Sequence, residues 1–300
     1  MINRSESPAL VEPAIRTEKL TKAFSPTTGV FELDLEVEAG QIFGFLGPNG
    51  SGKTTLIRLL LDYLRPDSGE AKIFGMDCRK AAGFIRPRLG YLPAEFRLYE
   101  NETGHHLLKY LAGLRPEGAL ASAKALAERL SLRLDDKIAH FSKGMKQKFA
   151  LIQALMHDPD LLLLDEPTDG FDPLIQQEFH QILREARSRG KTIFLSSHDL
   201  SEVEQLCDRV AIIRSGRLLA VEGIEALKEK KLKVLSFTLS EEREELFIPQ
   251  ATLRRREGKK FFFNYAGKPQ ELFEALKSLP IVEFSLEPAR LEEIFLEYYH

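Results

Sequence analysis

The run Gly47-Pro48-Asn49-Gly50-Ser51-Gly52-Lys53-Thr54, continued by Thr55, fits the spacing GxxxxGK[ST], and these residue types suit the capture of a polyphosphate. Glycines at 47, 50 and 52 let the backbone approach phosphate oxygens and turn its N–H groups inward. Lys53 brings a positive charge to the outer phosphates, and the Thr54 hydroxyl is a ligand for Mg²⁺. That is the chemistry of an ATP site. It requires a strand leading into the loop and a helix leading out, with the helix N-terminus adding partial positive charge. Residues 41–46 are mostly apolar and read as a buried strand. Leu56, Leu59, Leu60 and Leu64 recur at helical spacing and predict a helix over 55–64.

A second acidic signal lies at Leu161-Leu162-Leu163-Leu164-Asp165-Glu166. Four apolar residues ending in two carboxylates suit a central parallel strand that stops at a catalytic edge. Beside a phosphate loop, Asp165 would hold the Mg²⁺ water shell and Glu166 would polarise the water that attacks the γ-phosphate. Read alone, the same run is a buried strand followed by an acidic loop. Between the two signals stands Phe141-Ser142-Lys143-Gly144-Met145, with apolar residues at 149, 152, 155 and 156 behind it. Ser142 reads as the N-cap of that amphipathic helix. Asp172, in Asp169-Gly170-Phe171-Asp172-Pro173, caps a helix predicted over 173–189. Ser196-Ser197-His198 ends a further apolar run over 192–195.

The order and spacing of these segments, from about residue 15 to 222, resemble the ATP-binding cassette family. The resemblance implies that Phe24 stacks on adenine, although a strand-end core phenylalanine is an equal reading of the same residue. It implies that Ser142 and Gly144 meet the γ-phosphate of an ATP held by an opposite subunit, that Asp172 links the two sites, and that His198 hydrogen-bonds the γ-phosphate. A phosphate loop and a signature helix too far apart to clasp one nucleotide imply a head-to-tail homodimer around two ATP molecules. The family signature commonly reads Leu-Ser-Gly-Gly-Gln, so Phe141, Lys143 and Met145 are departures. Where the family places a glutamine after a strand and turn, this chain has Pro93-Ala94-Glu95. Glu95 either takes over contact with Mg²⁺ or is a solvated loop carboxylate. Both departures resemble the cassettes that serve ABC-2-type exporters, whose transmembrane permease subunits are separate chains.

Composition bounds the rest. At 300 residues and 43% hydrophobic, the chain is long enough for about two domains. A net charge of −3 gives no general reason to bind nucleic acid, and Arg254-Arg255-Arg256 reads as the solvated face of a hairpin. Cys78 and Cys207 have no metal spacing and read as reduced thiols, while His105-His106 lack the spacing of a metal pair. No run approaches about 18 apolar residues, so the expected location is the cytoplasmic face of a membrane, peripheral through a permease.

The expected fold class is α/β: a P-loop nucleotide-binding core with an antiparallel β subdomain and a helical subdomain, plus a small C-terminal α+β domain. The boundaries read as a disordered segment 1–13, an ATPase domain 14–222 with its helical subdomain at about 95–158, and a C-terminal domain 223–300. In the last, a basic bridge over 228–233 precedes alternating Leu235, Phe237 and Leu239, then a hairpin over 251–265. Leu272, Phe273 and Leu276 are predicted on one helix face, and Leu291, Ile294, Phe295 and Tyr298 form another stripe. This domain reads as a structural appendage or as a dimer or regulatory contact. Two further functional readings are a soluble cassette ATPase acting on nucleic acid or ribosomes, and an ATP-dependent dimerisation switch with little turnover. Against the first stands a single cassette without heptads.

Overall fold

The computed structural model describes residues 12–229, 233–243 and 246–288. The segment 1–11, residues 230–232 of the basic bridge and the Leu291, Ile294, Phe295 and Tyr298 stripe lie outside the described residues. The chain divides into two compact units, Met1–Glu222 and Gly223–His300.

The first unit is built on a six-stranded sheet. Its spatial order is Arg217–Gly223, Arg209–Arg214, Ile42–Leu46, Thr192–Ser197, Leu161–Asp165, Leu89–Leu92. The five strands from Arg209–Arg214 to Leu89–Leu92 run parallel. Ile42–Leu46, Leu161–Asp165 and Thr192–Ser197 are buried along their whole length, which accounts for their unbroken apolar runs in place of alternation. Across the pairing of Ile42–Leu46 with Thr192–Ser197, Phe43 stacks on Phe194 and Phe45 meets the same ring at a tilt.

A second sheet, antiparallel, orders Gly29–Val37, Ile15–Ala23, Ser68–Ile73 and Met76–Asp77. Gly29–Val37 alternates buried and exposed residues, as a strand with one wet face must. The helix behind the phosphate loop spans Lys53–Leu60, shorter than the predicted 55–64. Asp62 adopts a left-handed φ of +57°, which ends the helix, and Leu64 instead packs on the core from the following turn. Helices Gly104–Ala112, Ala119–Arg129 and Lys143–Leu155 form the helical part, with Thr103 capping the first through the His106 N–H. His105 and His106 are exposed there, and His106 Nδ1 meets Glu102 at 2.5 Å.

The second unit is a four-stranded antiparallel sheet ordered Ala251–Glu257, Lys260–Tyr265, Lys233–Leu239, Ile281–Pro288. Leu235, Phe237 and Leu239 point to one face with Phe261, Phe263 and Tyr265, and helix Pro269–Leu276 closes over them with Leu272 and Leu276. Phe273 does not join that stripe. It is 58% exposed and lies tilted against Phe284 instead, because Leu272 and Leu276, four residues apart, already cover the sheet.

Candidate functional site

Parallel pairing places three strand ends side by side. Leu46 is in register with Ser197, and Asp165 with Ser196, so the segments that follow, at Gly47, Glu166 and His198, emerge on the same carboxyl edge of the sheet. The phosphate loop folds back across this edge, where the Gly47 N–H donates to Ser197 O at 3.2 Å. A Cβ at Gly47 would lie 2.4 Å from Ile213 O, so the loop can pass there only as glycine. Gly52 has φ +110° and caps helix Lys53–Leu60 without any side-chain acceptor. The first N–H groups of that helix therefore remain free to bind an anion.

Around the loop lies a cavity of about 310 Å³ lined by Phe24, Thr28, Gly29, Asn49, Gly50, Gly52, Lys53, Thr54, Thr55, Ala94 and Glu166. Phe24 is 56% exposed, and is thus a free aromatic at the cavity wall and not a core residue. Pro48 is exposed at the loop's tip. Ser51 is buried with its Oγ lacking a partner, and its carbonyl accepts from the Gly216 N–H at 2.9 Å.

Lys53 is buried yet fully engaged. Its Nζ donates to Gly47 O at 2.5 Å and Pro48 O at 3.2 Å and sits 3.1 Å from Glu166 Oε1. The last contact is ionic only, because its angle leaves Oε1 without a hydrogen-bond donor. Glu166 Oε2 meets His198 Nδ1 at 2.7 Å, so one carboxylate joins the lysine at the helix start to the histidine at a strand end. Asp165 is 0% exposed; its Oδ1 accepts from Ser196 Oγ at 2.5 Å and its Oδ2 has no partner. A buried carboxylate oxygen without a donor is costly unless a cation meets it. Together with the Thr54 hydroxyl, it makes an all-oxygen donor set suited to a hard divalent ion that keeps most of its waters. The residues present thus fit Mg²⁺.

Glu166 has φ +49°, a left-handed backbone that costs a non-glycine residue roughly 1–2 kcal/mol. Its N–H is held by Ser196 O at 3.2 Å and Ser196 Oγ at 3.1 Å. From helix Lys143–Leu155, the Gln147 amide donates to Pro167 O at 3.0 Å and Glu166 O at 3.4 Å. Beyond Ser197 lies Glu202, 1% exposed, which accepts from Ser197 Oγ at 2.7 Å. Burial, reinforced by the Asp199 and Glu166 carboxylates, pushes the Glu202 carboxyl up to about 7. Ser196, Gln147 and Glu202 had no part in the sequence assignment of the site. For Gln147 a signal was present: a polar residue on the stripe shared with Ala150, Leu151 and Ala154.

Ser142, Gly144 and Asp172 do not line the cavity around Lys53. Ser142 caps helix Lys143–Leu155 through the Met145 N–H at 3.2 Å. Gly144 packs so closely on Gly170 that a Cβ would lie 2.7 Å from its carbonyl. Asp172 caps helix Pro173–Ser188, accepting from the Leu174 and Ile175 N–H groups at 3.0 Å. Nor does Glu95 join the cradle. The chain turns so that Ala94 faces it, and Glu95 lines a neighbouring cleft of about 660 Å³ with Phe96, Arg97, Phe141, Lys143 and Gln147.

A phosphate loop, a strand-end Asp–Glu pair and a strand-end histidine on one edge of a parallel sheet define a P-loop nucleotide-binding ATPase core. A family model described as ABC transporter matches residues 30–169. The bacitracin transport ATP-binding protein BcrA of Bacillus licheniformis is 40% identical over 234 residues, covering 76% of each chain. The Nod factor export ATP-binding protein I of Burkholderia lata is 33% identical over 290 residues, covering 92% of this chain and 93% of its own. A solved structure of the ATP-binding subunit of an ABC transporter superposes with a TM-score of 0.66 at 28% identity, covering 72% of this chain and 92% of that one. The chain belongs to the ABC transporter ATP-binding family. It is an ATP-binding subunit of such a transporter. Among the described residues no helix is long and apolar enough to cross a membrane.

Proposed function

We propose that the chain hydrolyses ATP as the motor subunit of an ABC-2-type exporter, paired head to tail with a second copy beneath separate permease subunits on the cytoplasmic face of the membrane. The observation that carries this reading is the split of the site. Lys53, Thr54, Glu166 and Phe24 share one cavity, whereas Ser142, Gly144 and Asp172 stand outside it. A second copy brings a helix N-terminus, capped by Ser142, to the open side of the cradle. Export is supported by the relatives, one of which is named for Nod factor export. The permease sets the cargo.

Within the site, Phe24 stacks on the adenine, and the loop from Gly47 to Gly52 wraps the phosphates with its N–H groups. Lys53 exchanges the Gly47 and Pro48 carbonyls for the outer phosphates, and Thr54 and Asp165 would hold the metal. Mg²⁺, when bound, would supply charge neutralisation at the phosphates. Glu166 orients the attacking water and draws off its proton, while His198, already paired with Glu166, bonds the γ-phosphate. Loss of phosphate removes charge-assisted contacts between the copies, and the pair opens.

The test is the Glu166→Gln variant with ATP and Mg²⁺. Light scattering should show a stable dimer whose turnover has fallen by about 10²-fold or more, and the wild-type chain should co-purify with a multi-span membrane partner. A monomeric Glu166→Gln chain at saturating ATP, even with the permease present, would overturn the proposal. Ala94 at the cavity wall supports a second reading, a dimerisation switch with little turnover; a wild-type turnover no higher than that of Glu166→Gln would select it.

A further inference from the structure

The left-handed turn at Glu166 persists because its neighbours fix it, and the neighbour from the helical part of the unit is Gln147. This side chain is 3% exposed. It lies on a buried stripe with Ala150, Leu151 and Ala154, where an apolar residue would pack without an amide to satisfy. Its Nε2 donates to Pro167 O at 3.0 Å and to Glu166 O at 3.4 Å, and to no other group among the described residues. Both acceptors are backbone carbonyls: that of Glu166 belongs to the 166–167 peptide and that of Pro167 to the next one.

We propose that Gln147 is a positioning residue for Glu166: it fixes the peptide that follows Glu166 and so the direction in which that carboxylate leaves the backbone. Gln147 lies in the helix capped by Ser142, five residues on, and the same helix presses Gly144 against Gly170 in the loop just past Glu166. Displacement of the capped end is thereby carried to the Glu166 peptide within one subunit. In the head-to-tail pair, this couples contact at one nucleotide to the geometry at the other. The inference rests on Glu166 acting as the base.

The experiment compares steady-state turnover, affinity for a fluorescent ATP analogue and melting temperature in full-length Gln147→Met, Gln147→Glu, Glu166→Gln and the double variant Gln147→Met/Glu166→Gln. Methionine keeps the length of the side chain and removes the N–H donor; glutamate keeps length and polarity but turns a carboxyl group toward two carbonyl oxygens, and the melting temperature shows which variant is folded and carries the test. The expected result is a kcat about tenfold lower, with analogue affinity within about twofold of wild type. In the Glu166→Gln background, Gln147→Met should change the residual rate by less than about twofold, because the effect passes through Glu166. Equal fold losses in both backgrounds, or a loss of affinity that accounts for the loss of rate, would overturn the inference. Unchanged kcat in the Gln147 variants while Glu166→Gln is inactive overturns it alone. Wild-type turnover in Glu166→Gln instead removes the base on which it rests.

Discussion

A carboxyl group buried beside the Glu166–His198 pair makes stability depend on pH. Glu202 is pushed up from 4.5 to about 7 chiefly by burial, with Asp199 and Glu166 adding to the rise and the Ser197 and Thr168 hydroxyls opposing it. The Thr168 geometry is looser than a hydrogen bond, and Glu202 Oε1 has no partner. The folded chain therefore holds this proton more tightly than the unfolded chain. Its contribution is complete below about pH 4.5 and is lost as the pH rises through 7. Glu202→Gln keeps the shape and removes the titration. At pH 8 the variant should be more stable than wild type by on the order of 3 kcal/mol, with the gap closing toward pH 4.5. Denaturant unfolding of both proteins at the two pH values measures it, and a gap independent of pH would rule out the burial argument. No sequence pattern shows this carboxyl. The placement of Lys53 and Thr54 at a helix start and of Asp165 at a strand end is legible because it follows from neighbours a few residues away, whereas the surroundings of Glu202 and Gln147 come from strands and turns far along the chain. Ala94 and Glu95 show the same limit: the residue types were visible, but which of the two faces the cradle depends on how the turn after Leu89–Leu92 is wound.

At the scale of elements, caps were the most legible feature. Ser142 and Asp172 were both assigned from residue type, and both accept the expected N–H groups. The helix over 55–64 ran too long in the sequence because Leu64 keeps the apolar period after Asp62 has ended the helix. Asp172 also tests whether structure and link can be separated. Asp172→Ala should cost about 1 kcal/mol as a lost cap, lowering the melting temperature by roughly 2–4 °C. Asp172→Asn keeps an acceptor for Leu174 and Ile175 and should melt close to wild type. An asparagine variant as unstable as the alanine one would mean that the charge, and not the cap, supports helix Pro173–Ser188.

At the scale of the whole chain, the two units have separate cores. Every residue assigned to the nucleotide site lies before Glu222. The core of the second unit is a stack of rings, Phe237 against Phe261 and Phe263 at 5.8 Å, roofed by Leu272 and Leu276. Deleting a buried phenylalanine side chain costs about 3–5 kcal/mol. A unit of this size, at about 0.05–0.15 kcal/mol per residue, has a total stability of the same order. Phe237→Ala in the full chain should therefore unfold residues after 223 while leaving the parallel sheet and its cradle folded. Limited proteolysis should release a fragment ending near the boundary, and the affinity of that sample for an ATP analogue should stay within about twofold of wild type. If affinity is lost together with the second unit, the two cores are coupled, and the nucleotide site depends on a part of the chain outside its described lining.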